Sequence, residues 1–286
     1  MRRLFLPLVV CAFVVACTAG PPPAVPSTSS MPDWTPNILR PDSSDSLEPG
    51  EGADDGVAEN GGKARKTIYN APKAKVKCTM PAVKEGNWAS MTRYLDEVSS
   101  CLDRIWLREL REINVLFVPP RREYVRKRIK HPACGLMPAK GADGTYCSAV
   151  KTYFILLDPA DVRRPWKAWA AQLAAHEYGH HVQYLTRILQ YQAAMTDAAA
   201  DKKTKDLVSR RLELQAECFS GVALQAMRRS LPPWDEFRYL YSGTLPKQWI
   251  LDHGRPQTQY RWMKKGYQSG KPGSCDTWTP APAKVT

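Results

Sequence analysis

The chain has few histidines, five in 286 residues. It has no C-x-x-C pair and no internal repeat, and its N-terminal apolar run is short. That run, residues 4–15, holds 12 residues, where a bilayer-spanning helix needs about 20. It therefore does not read as a membrane span. Without C-x-x-C pairs a cysteine-built zinc site is disfavoured. Acidic residues are also in deficit: 28 Asp+Glu stand against 41 Lys+Arg, a net charge of +13. The plain meaning of such a balance is a well-solvated basic surface. Its functional meaning is contact with something acidic, such as anionic lipid head groups, cell-wall polymers or nucleic acid. The length admits one large domain or two small ones.

The N-terminus opens on MRR followed by the apolar run, the pattern of a signal peptide. The run ends in Val14-Val15-Ala16-Cys17, which resembles a bacterial lipobox. There a small residue precedes a cysteine whose thiol forms the thioether to a lipid. Residues 1–16 are then expected to be a lipoprotein signal peptide, and Cys17 the lipid-bearing N-terminus of an extracytoplasmic, membrane-anchored protein. Residues 17–72 are rich in Pro, Ser, Gly and Asp with no apolar periodicity, and read as a disordered tether. A coil of roughly 55 residues would span about 40 Å. Residues 73–286 carry 35 basic and 20 acidic side chains, so the positive charge belongs to the globular part.

Six cysteines remain beyond the signal region: Cys78, Cys101, Cys134, Cys147, Cys218 and Cys275. An even number in an exported chain points to disulfides. Six allow 15 connectivities. Proximity favours Cys78–Cys101 and Cys134–Cys147, which leaves Cys218–Cys275.

Apolar residues at spacings of three and four predict a helix over about 87–111, with Asn87 as its N-cap. Residues 113–118 (INVLFV) read as a strand ended by two prolines. The basic run 121–131 reads as a solvated helix or loop, or as an anion-contacting patch. Residues 151–158 read as a second strand, at a sheet edge where a peptide could add in extended form. Two long helices follow, over about 164–195 and 203–229. The short polar connection between them favours an antiparallel pair. The remainder, from Leu231, is rich in Pro, Gly and aromatics and is expected to wrap the site. Together these elements read as an α+β domain.

The chemistry concentrates in AAHEYGHHVQ, residues 174–183. His176 and His180 lie one turn apart on one helix face, so two imidazoles can bind one Zn²⁺. Glu177 sits about 100° round the helix, where a carboxylate can take a proton from water and pass it to a leaving amine. His181 is 140° from His176 and is expected to pack rather than bind. A tetrahedral centre needs one more protein ligand. The second helix offers Glu213 and Glu217, again one turn apart. In an antiparallel pair Glu213 would bind while Glu217 accepts the N–H of a ligand histidine. Cys218 points away from Glu213.

AAHEYGHHVQ followed by RRLELQAECFSG resembles the bacterial neutral zinc metallopeptidase family, and more distantly the gluzincins with H-E-x-x-H and E-x-x-x-D helices. The resemblance runs over about residues 78–278, through CLDRIW, YCSAVKTYFILLD and the tail around DHGRPQTQYRW. It implies a zincin-like fold with an active-site helix, a glutamate-bearing helix and a small sheet. It implies zinc ligands His176, His180 and Glu213, with Glu177 as base. Glu217 departs from the usual Asp, and Arg255 stands where such proteins tend to have Ser. For the oxyanion of a tetrahedral intermediate, His253 is the first candidate donor, with Tyr178, Tyr153 and Tyr260 behind it. The expected function is a membrane-tethered zinc endopeptidase acting on peptide or protein substrates. Its rival is a non-catalytic basic lipoprotein of the same fold binding an anionic envelope polymer. Export argues against a nucleic-acid partner.

Overall fold

The computed structural model describes residues 67–286. The signal segment, Cys17 and tether residues 17–66 lie outside the described residues. The last part of the expected tether does not behave as one. A 3-10 turn covers Ile68–Asn70, and Ile68 and Ala71 are buried in the core. The domain therefore begins before Lys73.

Helix α1 (Trp88–Arg111) starts where expected, with the Asn87 side chain accepting from the Ser90 N–H at 2.8 Å. Its stripe of Met91, Tyr94, Leu95, Val98, Leu102, Ile105 and Trp106 is fully buried. Arg108 and Arg111 sit in the last turn, against the negative end of the helix dipole.

The next two elements differ from the sequence expectation. Residues 113–120 form no strand. Strand β1 is Arg121–Val125 and β2 is Ile129–His131, both inside the basic run expected to be a helix or loop. β3 (Gly135–Met137) pairs antiparallel with β2. β4 (Gly144–Cys147) and β5 (Thr152–Leu156) complete a three-stranded sheet of order β1-β5-β4. β1 runs parallel and β4 antiparallel to β5, with Arg121 opposite Thr152 and Gly144 opposite Ile155. Both sides of β5 are thus taken, which leaves no edge there for residues 113–118. β5 is also the central strand, not the edge strand expected; the edges are β1 and β4. Basic residues hid β1 because its side chains are used on both faces. Arg122 reaches Asp103 at 3.4 Å on α1, while Arg121 and Glu123 face solvent.

After the short α2 (Pro159–Arg163) comes α3 (Lys167–Leu185), rich in buried alanines. The single long helix expected over 164–195 is broken at Arg187, whose φ of 59° is left-handed. α4 (Ile188–Asp197) follows, then α5 (Lys202–Met227), capped by Asp201. α5 is the central beam, buried on all sides from Leu214 to Val222. Contacts between α3 and α5 pair Gln172 with Glu217, His180 with Glu213 and Gln183 with Leu212. That descending order makes them antiparallel. The tail supplies α6 (Trp234–Arg238), a 3-10 turn Tyr239–Tyr241, α7 (Lys247–His253) and α8 (Pro256–Ser269).

The six cysteines lie as three pairs at disulfide distance, in the pairing proximity favoured. Cα–Cα separations are 6.0 Å for Cys78–Cys101, 6.1 Å for Cys134–Cys147 and 5.4 Å for Cys218–Cys275. The last ties α5 to the C-terminal tail. Among the described residues, no helix is long and apolar enough to cross a membrane.

Candidate metal centre

A cleft of about 760 Å³ opens between α3, α5, the β3–β4 loop with β4, and residues 240–249 of the tail. At its floor the helix pair brings three ligand atoms together. His176, His180 and Glu213 each offer one atom within 4.8 Å of the others. Glu213 Oε2 is 3.3 Å from Nε2 of both histidines.

The hydrogen bonds around these side chains fix what those atoms can be. His176 Nδ1 lies 3.1 Å from Glu217 Oε2, a carboxylate that can only accept, so Nδ1 carries the proton. Gln183 Nε2 donates to Leu212 O at 2.8 Å and to Gln215 Oε1 at 3.0 Å. Its Oε1 therefore faces His180 Nδ1, at 2.9 Å, and accepts from it. In the neutral tautomers both Nε2 atoms are then bare lone pairs aimed at a carboxylate oxygen. Glu213 Oε2 is buried and makes no hydrogen bond. Three acceptors facing one point repel unless a cation lies between them. Two imidazoles and a carboxylate suit zinc, so the residues fit the group.

The electrostatics carry the same demand. Burial alone would raise the Glu213 carboxyl, yet His180, His253 and His176 hold it well below the ordinary range. Burial alone would lower His176, but the Glu213 carboxylate beside it and the Glu217 carboxylate that accepts from its Nδ1 raise it well above its usual value. His180 is raised too, against burial, chiefly by the Glu213 charge.

Glu177 is buried, and its Oε2 has no hydrogen-bond partner. Desolvation pushes its carboxyl up, against the pull of His176 and His180. It is held under β4: a Cβ on Gly144 would fall 2.5 Å from Glu177 Oε1 and 2.8 Å from its Cγ. His253 ends α7 with Nε2 3.5 Å from Glu213 Oε2. Its Nδ1 is 2.7 Å from Asp252 Oδ1, and its ring stacks on Trp249.

The structure removes two candidate donors. Tyr178 is fully buried and donates to Asp103 at 2.7 Å; Tyr153 is fully buried against Ser99. Tyr260 packs against the Trp234 and Tyr241 rings. His181 points away from the metal-ligand group. Its Nε2 donates to Val118 O at 2.6 Å and its Nδ1 accepts from Tyr146 at 2.9 Å. Cys218 is engaged with Cys275.

Several side chains at the site were missed. Gln172 and Gln183 stand four residues before His176 and three after His180, so the same helical spacing would have reached them. Gly144, Tyr241 and Trp249 carry no such signal, because tertiary contacts alone bring them in. Asp252 is merely the neighbour of His253.

Fold and site together define an α+β protein whose antiparallel helix pair presents a His-His-Glu centre able to take a metal ion. Residues 66–233 match the family described as "Putative neutral zinc metallopeptidase", and the chain belongs to that family. Similar proteins include the uncharacterized YpfJ of Escherichia coli strain K12, 32% identical over 125 residues. That match covers 36% of this chain and 41% of YpfJ. The uncharacterized Rv2575 of Mycobacterium tuberculosis H37Rv is 31% identical over 136 residues, 38% of this chain and 44% of its own. The chain thus spans about two fifths of the length of these relatives. No solved structure matches it.

Proposed function

We propose that the chain is a zinc-dependent endopeptidase working outside the cytoplasm, with a zincin-like fold and a lipid on Cys17 as its membrane tether. Peptide or protein segments are its substrates. One observation carries the proposal: His176, His180 and Glu213 converge in a cleft beside a buried Glu177 carboxylate with an unused oxygen. His176, His180 and Glu213 would hold the metal. What zinc supplies when bound is Lewis acidity, which polarises a carbonyl and acidifies a water.

The rest of the work falls to the chain itself. Glu177 accepts the proton of the attacking water, and its burial favours holding that proton until the leaving amine takes it. Asp252 holds His253 through Nδ1 and leaves Nε2 facing the centre, where an N–H would stand toward the developing oxyanion. The outer edge of β4 borders the cleft, so an extended substrate could add there by main-chain hydrogen bonds. Three cysteine pairs at disulfide distance support an oxidising, extracytoplasmic setting. A protein that only bound an anionic polymer would have no use for Glu177 at this position.

The test is Glu177→Gln beside wild type, with zinc content and cleavage of a peptide library measured on both. Zinc should bind both proteins, and hydrolysis should fall by about 10²–10⁴-fold in the variant. Equal rates, or a wild type without zinc, would refute the proposal.

A further inference from the structure

We propose that Tyr241 is a positioning residue for the metal centre, and that the tail stretch 241–253 docks onto the centre in a manner linked to metal binding. The proposal rests on the metal-binding part of the reading above and not on hydrolysis.

The argument begins at Glu217. Its carboxylate holds the Nδ1 proton of His176 and so orients a ligand ring. A glutamate has one more rotatable bond than the aspartate usual in the resembled pattern, so it must be pinned to do that work. Two groups pin it. Gln172 Nε2 lies 2.8 Å from Oε2 and 3.1 Å from Oε1. The Tyr241 hydroxyl donates to Oε1. Gln172 sits one turn before His176 on the same helix, so it moves with the ligand. Tyr241 arrives from the 3-10 turn Tyr239–Tyr241, beyond residue 233 where the family match ends. It ties Glu217 to the tail, outside the α3–α5 helix pair that carries the other contacts of this carboxylate.

The same stretch makes a second contact. Twelve residues on, His253 Nε2 stands 3.5 Å from Glu213 Oε2. Between them Leu245, Pro246 and Trp249 line the cleft, and Trp249 Nε1 reaches across to within 3.6 Å of where a Gly141 Cβ would stand. One segment therefore touches both α5 carboxylates and spans the opening. Linkage is reciprocal: what Tyr241 adds to metal affinity, the metal must add to the docking of its segment.

Two measurements test this. In the first, zinc affinity is measured by chelator competition on wild type and Tyr241→Phe, with unfolding temperatures taken in EDTA. The variant keeps the ring and loses only the donor. Its zinc affinity should fall about tenfold or more, with the EDTA unfolding temperature unchanged. Gln172→Leu should weaken zinc through the same carboxylate. In the second, wild type is proteolysed with zinc and with EDTA. Cleavage within 241–253 should be slower with zinc. A Tyr241→Phe affinity within twofold of wild type overturns the proposal, as does an equal loss of unfolding temperature with and without zinc. So does zinc-independent cleavage of 241–253. A wild type that binds no zinc removes this proposal and the metal reading together. One that binds zinc but cleaves no peptide leaves this proposal standing and sinks the peptidase.

Discussion

Gly144 contributes by having no side chain. Any Cβ there would press on Glu177 Oε1 and Cγ and, at 2.8 Å, on Leu173 Cδ1. Glu177 is enclosed on a helix, so the strain cannot be relieved by a swing into solvent. Gly144→Ala should therefore misplace the base while leaving His176, His180 and Glu213 untouched. Hydrolysis is expected to fall by roughly 10²-fold, the scale of an ångström error in a reacting group, with zinc affinity kept within a few-fold. Peptide cleavage and zinc titration on the same preparation would check this, and parallel losses of both would show that the site had collapsed. At this scale the sequence was legible wherever one helix carried the logic. His176, Glu177, His180, Glu213 and Glu217 follow from 3.6-residue spacing on two helices. Gly144 and Tyr241 were not legible, because each matters through contacts with side chains far along the chain.

At the scale of elements, the helices were readable and the small sheet was not. α1 and α5 announce themselves by an apolar stripe or by paired glutamates. The strands are three to five residues long, too short for alternation to outvote composition. Thus INVLFV, with ideal strand composition, pairs with nothing, while RREYV takes the edge of β5 because its register opposite Thr152–Leu156 is available. The break at Arg187 likewise has no glycine or proline to mark it. What composition hides most completely is the crossing of α5 and α8. Gly221 and Gly266 face each other's helix. A Cβ on Gly221 would overlap the Met263 carbonyl, and one on Gly266 the Cys218 carbonyl. Backbone on both sides leaves nothing flexible to yield. Gly221→Ala should cost about 1–3 kcal/mol or more through overpacking, read as a lower urea midpoint. Because α8 supports the tail that reaches the cleft, the same variant should weaken zinc. An unchanged midpoint would mean that the two helices are not packed this closely.

Over the whole molecule, a cluster of buried acceptors is a folding liability that a cation relieves, so stability, metal and pH must be coupled. In the metal-free protein the relief comes from protons. Glu213 and Glu217 raise His176 well above its ordinary 6.5, and Glu213 raises His180. A histidine raised on folding adds stability that is fully present below 6.5 and lost as pH rises through its folded value. The metal-free protein should therefore lose stability as the solution becomes alkaline. Zinc reverses the trend, because it takes the sites those protons occupied and binding must expel them. Each proton expelled costs about tenfold in apparent affinity per pH unit of acidification, and the loss begins above 6.5 because the folded values are raised. Glu213 is held far below its usual value, so it stays ionised throughout and adds no slope. The difference in unfolding temperature between zinc-loaded and EDTA-treated protein should be large at pH 8 and shrink steadily toward pH 5.5. At pH 8, zinc at 1,000 times its dissociation constant would stabilise the fold by about 4 kcal/mol. A zinc-induced shift that stayed constant over that range would show that the metal does not compete with protons on His176 and His180, and so that those imidazoles are not its ligands.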